Sequence, residues 1–436
     1  MKRPNIILIT VDCLRPDHLH CYGYKRNITP NIDNLAKSGI LFKSAFSNAP
    51  YTSYSMPSFI SSSFPPVVEI PKETIASILK KYGYATASFN PNTIILSKAA
   101  GGGKIRKGFD TFDLMLPLTY QYRISFEFSR QTIMSFFRFY FNKNGWIHNT
   151  VYIIYEKLLR SVPKLMYPKF HLYTPTANQI NRQAIQWIEK QKTPFFLWLH
   201  YMDVHEPYFP PNPKNLNEVY YLISKYRDFP NMLTKQEIEK LQDLYDLEIE
   251  YVDKAVTSFL DELKKLNDYD DSIIIISADH GDAFGEHDTL GHGGKFKPQL
   301  YDEFLRVPLI IHGTKEKGKT INKQVQLLDL GPTICNLANI PIPPTFFGQS
   351  VFDSSHRGII ANCSTSIAYR TEHFKLIINK YDNEENELYN LKDDPNEKIN
   401  IFRKNNEIVQ KLENEMIMLL THYKKKKDIL YIKHNF

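Results

Sequence analysis

The chain is poor in cysteine, and its four thiols, Cys13, Cys21, Cys335 and Cys363, fall in no CxxC spacing. That excludes a disulfide framework and a cysteine-based zinc ribbon. It reads as reduced thiols in a reducing compartment, so a cytoplasmic protein is expected. Long hydrophobic runs are missing too. Met1-Lys2-Arg3-Pro4 is basic, but the apolar stretch behind it, residues 5–11, is too short for a signal or membrane-spanning segment and runs into Asp12. No strong charge of one sign is present: 54 Lys and Arg against 47 Asp and Glu leave a net charge of +7. Such a mild excess suits a small anionic substrate or surface and argues against nucleic-acid binding. Gly101-Gly102-Gly103 lacks the Lys-Ser/Thr that would make it a phosphate-binding loop. What is there, 42% hydrophobic and 23% charged residues over 436 positions, is an ordinary globular composition with a large core.

Four consecutive isoleucines, Ile273-Ile274-Ile275-Ile276, fit a strand buried on both faces, as in a parallel sheet covered by helices. Residues 6–11 and 195–200 are similar runs, and shorter strands are predicted over 40–42, 84–89 and 307–311. Between them the pattern turns helical: 29–39, with Thr29 as N-cap, Pro30 at the first position and Gly39 as the stop, then 75–82, 176–191 and 241–266. This alternation predicts an α/β fold built on a doubly wound sheet. Near residue 345 the texture changes. Short runs at 358–361, 367–370 and 374–378 predict a small antiparallel sheet, followed by a helix over 405–423 whose lysines 424–427 form a solvated end. The expected division is a catalytic domain over 1–345 and an α+β subdomain over 346–436. Residues 115–171, dense in aromatic and basic side chains, read as a helical insertion packed on its own domain; a lid, a partner surface or a peripheral membrane contact are the other readings.

Two of the buried strands end in carboxylates. Asp12 follows the first, and Ser277-Ala278-Asp279-His280-Gly281-Asp282 follows the isoleucines. Ligands collect at the carboxyl ends of strands in open α/β sheets, and carboxylate oxygen with imidazole nitrogen suits a divalent metal. Taken alone, Asp279-His280 fits a helix N-cap beside a surface histidine better. The strand over 195–200 also ends in polar chemistry, with His205 and Glu206. Residues 48–60 are rich in hydroxyls and punctuated by proline. They read as a loop entering a helix near Pro57, which places Ser55 at the positive end of the helix dipole, where an anion or alkoxide is favoured.

Several blocks, in order and nearly end to end, resemble the sulfatase family within the alkaline phosphatase superfamily. Residues 5–12 with Arg15-Pro16-Asp17 are similar to its opening strand and metal loop, and residues 29–42 to its next signature. Residues 195–208 resemble its strand ending in a His-x-Pro-Tyr turn, 277–281 its second metal motif, and 297–308 its Lys, Tyr, Arg-Val-Pro segment. Residues 328–333 and 387–395 match two further blocks. The resemblance implies an alkaline-phosphatase-like doubly wound mixed sheet flanked by helices, and a hydrolase acting on a sulfuric or phosphoric ester. It implies one divalent cation on Asp12, Asp279 and His280, with Ser55 as nucleophile and further donor. His205 and Lys297 would contact the oxyanion or protonate the leaving group. His292 resembles the extra histidine of the phosphoethanolamine and phosphoglycerol transferases. The implied partner is a small anionic ester or a sulfated or phosphorylated glycan or lipid.

The sequence also departs from the family. Sulfate-ester hydrolases carry a formylglycine made within C/S-x-P-x-R, and here Ser55-Met56-Pro57-Ser58-Phe59 puts Phe59 where arginine is expected. Unmodified serine with a metal suits phosphate mono- or diesters. Cys13 replaces the second Asp of the usual pair, and a thiol is a poor calcium ligand, so among calcium, manganese and zinc the expectation moves toward manganese or zinc. The Lys-Trp-His-Leu-Gly block is absent, with Ser88-Phe89-Asn90-Pro91-Asn92 in its place. Two other expectations follow: a transferase moving a phospho-alcohol group onto a glycan or lipid, or an inactive binding protein that kept the fold.

Overall fold

The structure is a computed structural model that describes residues 3–66, 73–97, 100–116, 174–292, 299–353, 357–380 and 385–435, with Lys157 and Ser161, and side chains as far as Lys424. The insertion at 115–171 lies almost wholly outside the described residues, and Lys297 lies outside them altogether. Eight strands form one sheet: β1 (Asn5–Val11), β2 (Ile40–Phe46), β3 (Ala85–Phe89), β4 (Thr111–Asp113), β5 (Phe195–Tyr201), β6 (Ser272–Ala278), β7 (Arg306–His312) and β8 (Lys319–Gln326), in the order β4-β3-β5-β1-β6-β7-β2-β8. Every residue of β1, β5 and β6 is buried. That is why they read as unbroken apolar runs: helices cover both faces of the sheet. The isoleucine strand is parallel to β1 on one side and antiparallel to β7 on the other. The sheet is therefore mixed, with β7 reversed.

Around it lie α1 (Pro30–Ser38), α2 (Thr52–Ser61), α3 (Ile75–Lys81), α4 (Ala177–Ile188), α5 (Leu216–Asp228), α6 (Lys235–Lys265), α7 (Asp302–Leu305) and α8 (Leu330–Leu337). Thr29 precedes α1 as expected, but its side chain caps nothing. The free amides of Asn31 and Ile32 are instead accepted by the Asp253 carboxylate of α6, so a distant carboxylate on a helix end replaces the local cap. α6 begins six residues before its first expected residue, because Thr234 and Glu237 form a reciprocal capping box.

A second sheet, β9 (Ile359–Asn362), β10 (Ser366–Arg370), β11 (Phe374–Asn379) and β12 (Glu387–Asn390), is antiparallel throughout, in the order β12-β11-β10-β9. One face carries Ile360, Tyr369, Leu376 and Leu388, packed with Val409, Leu412 and Met416 of α9 (Asn406–Asn435). The other face joins Phe46, Ala283 and Phe304 of the larger unit. α9 does not stop near residue 423; lysine is a good helix former, and the run 424–427 continues the helix.

Candidate active site

The register of the sheet assembles the site. Val11 of β1 lies opposite Tyr201 of β5 and Ala278 of β6. The residues that follow, Asp12 and the pair Asp279-His280, therefore emerge side by side, and all three are completely buried. His280 Nε2 stands 3.6 Å from Asp12 Oδ1 and 3.4 Å from Asp279 Oδ2. The other nitrogen, Nδ1, is 2.8 Å from the Gly281 carbonyl, a bond that puts the proton on Nδ1 and leaves the Nε2 lone pair facing the carboxylates. This is the arrangement of a metal-ligating histidine. The surface-histidine alternative is thereby overturned. Gly281 is required for space: a Cβ there would lie 2.0 Å from the Glu303 carbonyl oxygen. Two carboxylates and an imidazole, whose ligand atoms all lie within 4.8 Å of one another, fit a divalent cation.

Two hydroxyls of α2 enter this cluster. Ser55 Oγ lies 3.4 Å from Asp279 Oδ2. Thr52 Oγ1 lies 3.1 Å from His280 Nε2 and 3.4 Å from Asp12 Oδ2. Thr52 was missed in the sequence because the helix was expected to start near Pro57. It starts at Thr52, with Pro57 inside it, and the Ser55 amide is already bonded to the Tyr51 carbonyl at 3.0 Å. Burial of Met56, Phe59 and Ile60 sets the helix, and proline this close to its start forfeits only one bond. Ser55 thus stands one turn in from the helix end.

Behind Asp12 runs a chain of hydrogen bonds that sequence reading did not find. Trp198 Nε1 donates to Thr10 Oγ1 at 2.9 Å, Thr10 Oγ1 lies 2.8 Å from His200 Nδ1, and His200 Nε2 lies 3.1 Å from Asp12 Oδ2. With Thr10 giving its proton to Nδ1, His200 carries its own on Nε2 and donates to Asp12. Asn92 Nδ2 donates to the same oxygen at 2.9 Å. Burial alone would raise the Asp12 carboxyl, but His205 and the His200 bond hold it well below the usual carboxylate range. The one available signal was alternation: Thr10 and His200 are polar residues in apolar strands.

Of the remaining candidates, His205 and His292 reach the cluster. Their rings meet edge to face with centroids 4.9 Å apart, and His292 lies 4.6 Å from the His280 ring. Burial opposes a charge on His292, yet the Asp282 carboxylate 3.3 Å away pushes its pKa up to about 9. Asp282, also missed, is completely buried and accepts from Tyr208 at 2.6 Å. Phe59, where the resemblance places an arginine, is completely buried and packs against Trp198.

A doubly wound mixed sheet carrying carboxylates, histidines and a helix-borne hydroxyl at the ends of its central strands defines an alkaline-phosphatase-like ester hydrolase. The sulfatase family model matches residues 4–340, and the chain belongs to that family. It is 24% identical over 463 residues to the uncharacterized sulfatase YidJ of Escherichia coli (strain K12), covering 92% of this chain and 84% of the relative. It is 26% identical over 419 residues to human (Homo sapiens) iduronate 2-sulfatase, covering 78% and 70%. Among solved structures, the phosphonate monoester hydrolase of Agrobacterium radiobacter superposes with a TM-score of 0.70 over 97% of this chain and 96% of that one, at 17% identity.

Proposed function

We propose that the protein hydrolyses an anionic ester with Ser55 as nucleophile and one divalent cation held by Asp12, Asp279 and His280. The observation that carries this reading is the approach of Ser55 Oγ to Asp279 Oδ2, at 3.4 Å, within the buried carboxylate–imidazole set. The cation, when bound, would neutralise charge on the ester oxygens and favour the ionised serine. Ser55 Oγ attacks the phosphorus or sulfur in line, the bond to the leaving oxygen breaks, and the serine ester is then cleaved by water. His205 donates through Nδ1 to the Glu206 carbonyl at 2.6 Å, which leaves Nε2 to serve the oxyanion or the leaving group, together with Lys297. A phosphate mono- or diester is the favoured substrate class, because Phe59 removes the arginine of the formylglycine motif, and the imidazole donor favours manganese or zinc over calcium.

Transfer of a phospho-alcohol group to a glycan or lipid is a second reading, favoured by the place of His292 beside His280. Assays of the purified protein with aryl phosphate, bis-aryl phosphate and aryl sulfate, each with manganese, zinc or calcium, test both. Metal-dependent turnover lost by several orders of magnitude in Ser55→Ala supports hydrolysis. A covalent adduct with little turnover supports transfer. No turnover and no adduct, with wild type and variant alike, contradicts both.

A further inference from the structure

The donors around Asp12 separate into two groups. Asp12, Asp279 and His280 are the first. The ligand atoms of Asp12, Cys13 and His205 also lie within 4.8 Å of one another, as do those of Cys13, His280 and His292, and Cys13 is the member common to these two sets. Its sulfur does not extend the first group. Cys13 Sγ lies 4.0 Å from His280 Nδ1, the nitrogen turned to the Gly281 carbonyl, whereas Asp12 and Asp279 face Nε2 on the opposite side of the ring.

On its own side the thiol has soft and borderline donors for company. Cys13 Sγ is 3.5 Å from His292 Nδ1 and 3.1 Å from Asp12 Oδ1. A sulfur and an imidazole nitrogen bound to one tetrahedral zinc, at about 2.3 and 2.0 Å from it, are themselves roughly 3.5 Å apart. His205 has Nδ1 committed to the Glu206 carbonyl and Nε2 uncommitted to a backbone group, and its ring abuts that of His292. The main chain is set to aim the sulfur: Cys13 sits at a φ of 62°, unusual for a residue with a side chain, and Tyr245 donates its hydroxyl to the Cys13 carbonyl at 2.7 Å. The same nitrogen, His292 Nδ1, lies 3.3 Å from Asp282 Oδ1, while Nε2 is 4.0 Å from Cys13 Sγ, and Asp282 is itself fixed by the Tyr208 hydroxyl. Among the described residues, the ion-pair partners of the three buried carboxylates Asp12, Asp279 and Asp282 are histidines.

We infer that Cys13, His205 and His292, sharing the Asp12 carboxylate with the first group, form a second cation site that selects zinc, so that the centre takes two metal ions and His205 Nε2 serves there as a ligand rather than as a proton donor. This rests on the reading that Asp12, Asp279 and His280 hold the first ion. Thiolate and imidazole are the donors zinc prefers, while the carboxylate-rich group suits a harder ion. Two adjacent ions suit phosphoryl transfer, with one serving each of the attacking and leaving oxygens.

The test is metal content and zinc-edge X-ray absorption of the full-length protein, reconstituted with zinc and freed of loose metal. Two ions per chain with a sulfur scatterer are expected. Cys13→Ser and His292→Ala should each lower the count to one with circular dichroism unchanged, and Asp279→Asn should keep the sulfur-bound ion. One ion per chain, with or without sulfur, overturns the second site and leaves the first; no bound ion overturns both. If the variants fail to fold, the count and the sulfur signal of the wild-type protein decide.

Discussion

The ring of Phe59 meets the indole of Trp198 edge to face, with centroids 5.7 Å apart and planes at 83°. Both side chains are completely buried. Trp198 is the first member of the chain that leads through Thr10 and His200 to Asp12. The position where the resemblance places an arginine is therefore part of the packing that supports the Asp12 carboxylate from behind.

Restoring the motif by Phe59→Arg should consequently destabilise the protein. It removes a core aromatic and buries a charge without a partner, together at least about 3 kcal/mol. Denaturant unfolding measures this. A variant as stable as wild type that acquires formylglycine at Ser55 would contradict the account of Phe59.

Thr10→Val keeps the shape of the side chain and removes the hydroxyl between Trp198 and His200. The His200 proton is then no longer fixed on Nε2, and the buried Trp198 N–H loses its acceptor. Affinity for the first cation should fall by about 10-fold, the usual size of an effect on a group that orients a ligand, with a stability loss of about 1–3 kcal/mol. Metal titration by calorimetry checks it; unchanged affinity would show that His200 does not orient Asp12.

Asp203 accepts the Ala177 amide at the start of α4, at 2.9 Å, and burial raises its pKa to about 7. The folded state then holds a proton that the unfolded state releases near pH 4. Stability from this group is full below about pH 4 and is lost as pH rises toward 7, a change of roughly 2–4 kcal/mol for a partly buried carboxyl. Asp203→Asn keeps an oxygen for the cap and should flatten the stability profile between pH 4 and 7. An unchanged profile would place the titration elsewhere.

Much of the fold was legible because burial on both faces writes itself into β1, β5 and β6 as apolar runs, and the carboxylates at their ends could be read from position alone. The supporting residues could not. His200 and Thr10 act through neighbours that only the parallel register brings together, and Thr52 was hidden by a proline that marks a helix start in isolation and sits inside one here. Asp253 caps α1 from a helix more than 200 residues away in sequence, where local rules point to Thr29. β4, β8, β12, α5, α7 and α8 were not anticipated at all: β8 is a half-exposed strand without a clear apolar period.

The account stands on an unmodified, reactive Ser55. Mass spectrometry of the tryptic peptide spanning residues 44–72, taken before and after an acid quench of the metal-loaded protein with aryl phosphate, addresses that residue and Thr52 together. The expected result is serine at position 55 in the resting protein and a phosphoryl group on Ser55 after the quench. Formylglycine at Ser55, or a phosphoryl group confined to Thr52, would contradict it.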